Sequence, residues 1–144
     1  MLKGIPAIVS PELMDVLMRM GHGDDIVIAD GNFPAETMGQ RVVRTDGHGV
    51  PAILDAILRF VPVDTFVADA VKVMQPVGMA APEPPIWNEF RDVLAKREGR
   101  PISLTPVERF AFYREAQASF AVVATGETAI YANIIIKKGV VVPS

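Results

Sequence analysis

The chain of 144 residues has no cysteine, two histidines and one tryptophan. Without thiols it can build no disulfide framework, no thiolate zinc site and no cysteine nucleophile. It has no basic excess either: 14 Lys and Arg stand against 17 Asp and Glu, giving a net charge of −3 and a pI near 5.3. Acids and bases are interspersed, so the basic stripe typical of nucleic-acid binding is missing. No apolar run approaches the ~20 residues that cross a bilayer, and the opening MLKGIPAIVSPEL lacks the long apolar core of a secretion signal. A cytoplasmic protein that binds neither membrane nor nucleic acid is expected. Also missing are a phosphate-cradling glycine motif, a nucleophile elbow, internal repeats and low-complexity tracts.

What the chain does have is apolar surface. Half of its residues are hydrophobic and its mean hydropathy is +0.30. That is high for a small monomer and points to apolar surface covered by a partner subunit, hence to a homo-oligomer. The length suits one domain over residues 1–144, enough to bury most of the apolar surface. The one candidate linker is PVGMAAPEPP, residues 76–85, with four prolines in ten positions. Such a run cannot be regular helix or central strand, and is expected to be a long surface loop.

Start and stop signals place the elements. Ser10 can cap a helix with Pro11 at its first position, and Gly21 suits the position just past its end. DIVIAD is a continuous apolar run, the mark of a strand buried on both faces. VPAILDAILRFV and IWNEFRDVLAKRE have helical periodicity. Thr105-Pro-Val-Glu108 fits a capping box, which predicts a helix from about 106 to 117. FAVVAT and AIYANIIIK read as two strands joined by the Gly-Glu turn at 126–127. Helices interleaved with buried strands indicate a layered α/β domain.

Chemistry concentrates in a few places. His22, in MGHGDDIVIAD, follows the first helix, whose negative end would favour imidazolium and suit it to donate a proton near neutral pH. A solvated Gly-His-Gly turn is the plainer account. Asp30 ends the buried strand, on the edge where α/β sheets collect ligands, although an aspartate capping the next turn is equally common chemistry. His22 and Asp30 bracket one short strand, so they are expected at its opposite ends, and a site shared between subunits is open. Arg109 and Tyr113 lie four apart on one helix face. In AIYANIIIK read as a strand, Tyr131 and Asn133 share a face and make a small hydrogen-bonding platform, with hairpin surface decoration as the competing account. His48 joins His22, Asp24, Asp25 and Asp30 as a conceivable ligand set, but the histidines lack the i,i+4 spacing of familiar zinc sites, so no metal is expected.

Taken together, MGHGDDIVIADGNFPA, RFAFYREAQASFAVVATGETAIYANIIIKKGV and VSPELMDVL resemble the L-fucose mutarotase and ribose pyranase family, the fucose branch most of all. The resemblance spans the chain and is weakest over 76–104. It implies a three-layer α/β/α single domain with a central, largely parallel or mixed sheet. It further implies an isomerase that interconverts the alpha and beta anomers of a free sugar, L-fucose above all, by acid-base ring opening with no metal and no cofactor. Family members assemble as homo-oligomers, often decameric rings. Carried over position by position, the catalytic histidine is His22, and the sugar-binding residues are Asp30, Arg109, Tyr131, Ala132 and Asn133. The family strip is Tyr-Gly-Asn, so Ala132 departs from it, and a methyl group there is expected to bear on which sugar fits. The alternative is a non-catalytic monosaccharide-binding or sensing protein of the same fold.

Overall fold

The Asp-Ile-Val-Ile-Ala stretch forms β1 (Asp25–Ala29), the strand around which the others assemble in the computed structural model, which describes residues 1–78 and 81–144. β1 is preceded by α1 (Pro11–Arg19) and followed by α2 (Ala35–Met38), β2 (Val42–Thr45), α3 (Val50–Leu58) and β3 (Val71–Met74). Then come α4 (Ile86–Glu98), β4 (Thr105–Val107), α5 (Arg109–Ala118), β5 (Ala121–Thr125) and β6 (Ile134–Lys137). The six strands form one sheet in the order β2-β5-β1-β6-β3-β4. β1 pairs parallel to β5 and antiparallel to β6, and β6 is likewise antiparallel to β3. Five strands therefore point one way, and β6 alone is reversed.

Alternation along the central strands divides the interior in two. Ile26, Ile28, Ala121, Val123, Ile134 and Ile136 face one core, with α1, α3 and α4 packed over it. Val27, Ala29, Val122, Ala124 and Ile135 face the other, under α2 and α5. The result is the three-layer α/β/α arrangement with a mixed sheet. A strand apolar on both faces stays buried only if helices cover both, and each buried Ile or Val contributes roughly 1.5–3 kcal/mol.

Most local signals are realised. Ser10 Oγ accepts the Leu13 N–H at 3.1 Å, and α1 buries Leu13, Val16 and Leu17 at helical spacing. α4 ends on Gly99 in the left-handed conformation at φ 72°. Two expectations fail. The capping box at Thr105 does not form: Thr105–Val107 pair with β3, and Glu108 caps α5, its carboxylate accepting the Ala111 N–H at 3.0 Å. Pro106 is tolerated because β4 is an edge strand. Nor do FAVVAT and AIYANIIIK form a hairpin. β5 and β6 lie on opposite sides of β1, and β6 begins only at Ile134. The 76–85 segment holds no helix or strand among its described residues, with Met79 and Ala80 lying outside them.

Candidate functional site

Because β6 alone is reversed, the carboxyl ends of β1, β3 and β4 and the start of β6 meet at one edge of the sheet. Asp30 follows β1, Met74 ends β3, Arg109 begins α5 just after β4, and Asn133 precedes β6. They line a cleft of about 340 Å³, together with Tyr113 and Tyr131. Phe33 adds an apolar wall, stacked edge-on to Phe112 and tilted against Tyr113 at 5.7 Å.

Asp30 is buried, and its carboxylate is held by backbone amides. Asn32 N–H donates to Oδ1 at 3.0 Å and Ala132 N–H to Oδ2 at 3.3 Å. In return the Asp30 N–H donates to Asn133 Oδ1 at 2.8 Å, so a residue more than a hundred positions away is tied to the end of β1. Burial pushes the Asp30 carboxyl above the ordinary value of 3.8, and the amide bonds oppose that rise without cancelling it. A carboxylate poised this way can accept a hydroxyl hydrogen bond or a proton.

The Tyr131-Ala132-Asn133 strip is not strand. Tyr131 has φ 53°, the one positive φ at a non-glycine position among the described residues. Its hydroxyl accepts the Val77 N–H at 3.0 Å, and its carbonyl accepts the Trp87 indole N–H at 3.0 Å. Tyr131 and Asn133 both face the cleft, but for this reason and not because strand alternation puts them on one side. Ala132 is fully buried, with its side chain in the core under α1, α3 and α4. Its methyl group therefore turns away from the cleft, which Ala132 reaches only through its backbone N–H.

Arg109 is exposed at the first position of α5, its guanidinium 4.6 Å from the Phe110 ring centroid. A cation at a helix N-terminus is electrostatically misplaced. Its presence there is better explained by the cleft than by α5. Among the described residues, Asp30 and Arg109 are the only charged ones lining the cleft, one of each sign. That pair suits a neutral polyhydroxyl molecule rather than an anion.

His22 stands at the other end of β1. α1 stops at Arg19 and the chain leaves it extended at Met20, so the helix end is not the imidazole's direct neighbour. That neighbour is Asp64: His22 Nε2 lies 3.1 Å from Asp64 Oδ1, and the Phe66 ring is 5.0 Å away. Asp64 is buried, with its side chain 3% exposed against 45% for His22. Burial opposes ionisation of Asp64, but the Phe66 N–H and His22 outweigh it and hold the carboxyl below 3.8. Such a carboxylate fixes the ring's orientation and tautomer. Sequence reasoning missed Asp64 in VPVDTF, because only the bridge between Val63 and Lys138 brings that loop beside residues 22–24. From Asp25 to Asp30 the strand advances about 17 Å at ~3.3 Å per residue, so one chain does not bring His22 to its own cleft. His48 is exposed in the turn before α3 and does not line the cleft. Among the described residues, no three His, Asp or Glu side chains converge as a metal-binding group.

A family model described as the RbsD / FucU transport protein family matches residues 3–141. The fucose mutarotase of Homo sapiens is 48% identical over 145 residues, covering 96% of this chain and 94% of that protein. A crystal structure of the fucose mutarotase from Streptococcus pneumoniae in complex with L-fucose superposes with a TM-score of 0.92 at 42% identity, covering 98% of this chain and 100% of that one. Bacillus subtilis RbsD complexed with D-ribose shares the fold at a TM-score of 0.75 and 21% identity, over 99% of this chain and all of that one.

Proposed function

Because the chain belongs to the RbsD / FucU transport protein family, we propose that it is an isomerase, a mutarotase that interconverts the alpha and beta anomers of L-fucose. One sugar mutarotase domain then spans residues 1–144. The observation that carries this reading is the carboxyl-edge cleft, where Asp30, Arg109, Tyr131 and Asn133 converge around a single buried carboxylate. Asn133 spends its carbonyl oxygen on Asp30 N–H, leaving its amide N–H groups to donate to a sugar oxygen. Arg109 and the tyrosine hydroxyls supply further polar contacts.

Ring opening needs two proton movements. Asp30 takes the proton of the anomeric hydroxyl as the bond between the anomeric carbon and the ring oxygen breaks and the carbonyl forms. Protonated His22 gives its proton to the ring oxygen, which becomes a hydroxyl. Rotation about the adjacent carbon–carbon bond turns the carbonyl, and the reverse steps close the ring on its other face. No net proton is consumed, and the groups contribute through position and proton transfer. Asp64 keeps the imidazole aimed.

Since His22 and Asp30 lie at opposite ends of β1, the working site joins His22 of one subunit to the cleft of the next. The surface supports such head-to-tail contact. Phe66 and Val140–Val142 are exposed beside the His22 edge, and Val77, Phe110 and Ile130 beside the cleft. Contacts between two unlike patches close into rings when the rotation permits, which fits a homo-oligomeric, decameric ring. A cytoplasmic enzyme acting on free sugar is the corresponding setting; no helix among the described residues is long and apolar enough to cross a membrane. The same separation of His22 from the cleft favours a second reading, a non-catalytic sugar binder, if the chain works alone. NMR exchange spectroscopy on the anomeric protons of fucose, ribose, galactose and lyxose separates the two. Faster exchange for L-fucose than in buffer, lost in His22→Ala, is expected. Binding without acceleration of any sugar establishes the binder instead.

A further inference from the structure

The Tyr131–Ala132 peptide unit is gripped at both ends. Its carbonyl oxygen, on Tyr131, accepts the indole N–H of Trp87 at 3.0 Å. Its N–H, on Ala132, donates to Asp30 Oδ2 at 3.3 Å. A peptide group is planar, so fixing the carbonyl direction fixes the N–H direction opposite to it. The preceding residue sits at φ 53°, a conformation that costs a non-glycine residue of order 1 kcal/mol or more and persists only where surrounding bonds over-determine it. Trp87 is itself closely packed: it is 4% exposed in the second position of α4 and lies in the core. An indole has one donor, and here that donor goes to this carbonyl.

We propose that Trp87 is a positioning residue of the cleft, whose indole N–H locks the 131–132 peptide plane so that the Ala132 amide stays on the Asp30 carboxylate. The proposal rests on the mutarotase reading only for its consequence in turnover. Without the indole donor the half-buried Tyr131 carbonyl loses its partner, the peptide is free to rotate, and Asp30 loses one of the amides that favour its ionised form. Tyr131 and Asn133, on either side of that peptide, lose their aim with it. Trp87 thus acts on the sugar through backbone, from a helix that contributes no side chain to the cleft.

Replacing Trp87 with β-(3-benzothienyl)alanine keeps the bicyclic shape and removes the N–H. Trp87→Phe is the genetic counterpart, and Phe90→Leu, on the same helix and fully buried, is the control for general loosening of the core. With the benzothienyl residue, kcat/KM for L-fucose anomer exchange should fall about tenfold, and the acid limb of its pH profile should move to higher pH. Phe90→Leu should leave that limb in place. A carbon-13 titration of the Asp30 carboxyl, which needs no turnover, should show the same upward displacement. An unchanged titration and an unchanged acid limb in the benzothienyl protein overturn the proposal. If the parent protein accelerates no sugar while the Asp30 titration still moves, the mutarotase reading fails and the clamp stands.

Discussion

Mixing two inactive variants tests the most consequential geometric conclusion, that His22 and Asp30 serve one site only across a subunit boundary. His22 lies before β1 and Asp30 after it. The intervening strand covers about 17 Å at ~3.3 Å per residue, whereas proton transfer needs heavy atoms within about 3 Å of the same sugar. His22→Ala and Asp30→Asn should each lower kcat at least about a hundredfold, the contribution expected of a positioned acid or base. Unfolded together in equal amounts and refolded, the variants combine at random. A site then draws its histidine from an Asp30→Asn subunit and its carboxylate from a His22→Ala subunit in about one quarter of cases, so about a quarter of parental activity should return if contacts run head to tail. The assay is anomeric exchange by NMR before and after co-refolding, with each variant refolded alone as the baseline. Activity that stays at baseline in well-assembled mixed oligomers would refute the shared site and require His22 to act within its own chain or not at all.

Asp64→Asn should lower kcat with little change in KM, since Asp64 touches the imidazole and not the cleft; steady-state kinetics read the split. The same variant carries a signed pH dependence. Asp64 is held below its ordinary 3.8, so its ionised form adds stability above that pH, and the addition disappears as pH falls through the folded value. Thermal melts should therefore show Asp64→Asn less stable than the parent at neutral pH, with the difference closing below about pH 3.8. Arg109→Ala should raise KM about tenfold through loss of charge-assisted hydrogen bonds to the sugar. Its Tm should stay level or rise slightly, because the change removes a cation from the positive end of α5.

Local signals were most legible where burial and capping agreed. α1 follows from Ser10, Pro11 and the Leu13, Val16, Leu17 spacing, and β1 from its unbroken apolar run. They were least legible where two local patterns competed. Thr105-Pro-Val-Glu108 satisfies a capping box on paper, yet an unpaired β3 edge offers Thr105–Val107 a ladder, and Glu108 alone is left to cap α5. β2, β3 and β4, of three or four residues each, carry too little periodicity to stand out. The cleft residues Asp30, Arg109, Tyr131 and Asn133 each stand out locally and the family pattern joins them, but the reason for their convergence was hidden. Alternation on a strand was the wrong geometry for Tyr131 and Asn133, which a positive φ and two long-range hydrogen bonds hold in place.

By itself the sequence determined what depends on neighbours along the chain: no thiol chemistry, no basic surface, helices with caps, and a strand buried on both faces with a histidine before it and an aspartate after it. Only the tertiary structure decided which strand is reversed. Reversal of β6 brings Asn133 beside Asp30, and the return of the chain past Lys138 brings Asp64 beside His22. Those pairings form between residues tens to a hundred positions apart. Such contacts arise from the packing of two apolar cores against one sheet, and no local periodicity encodes them.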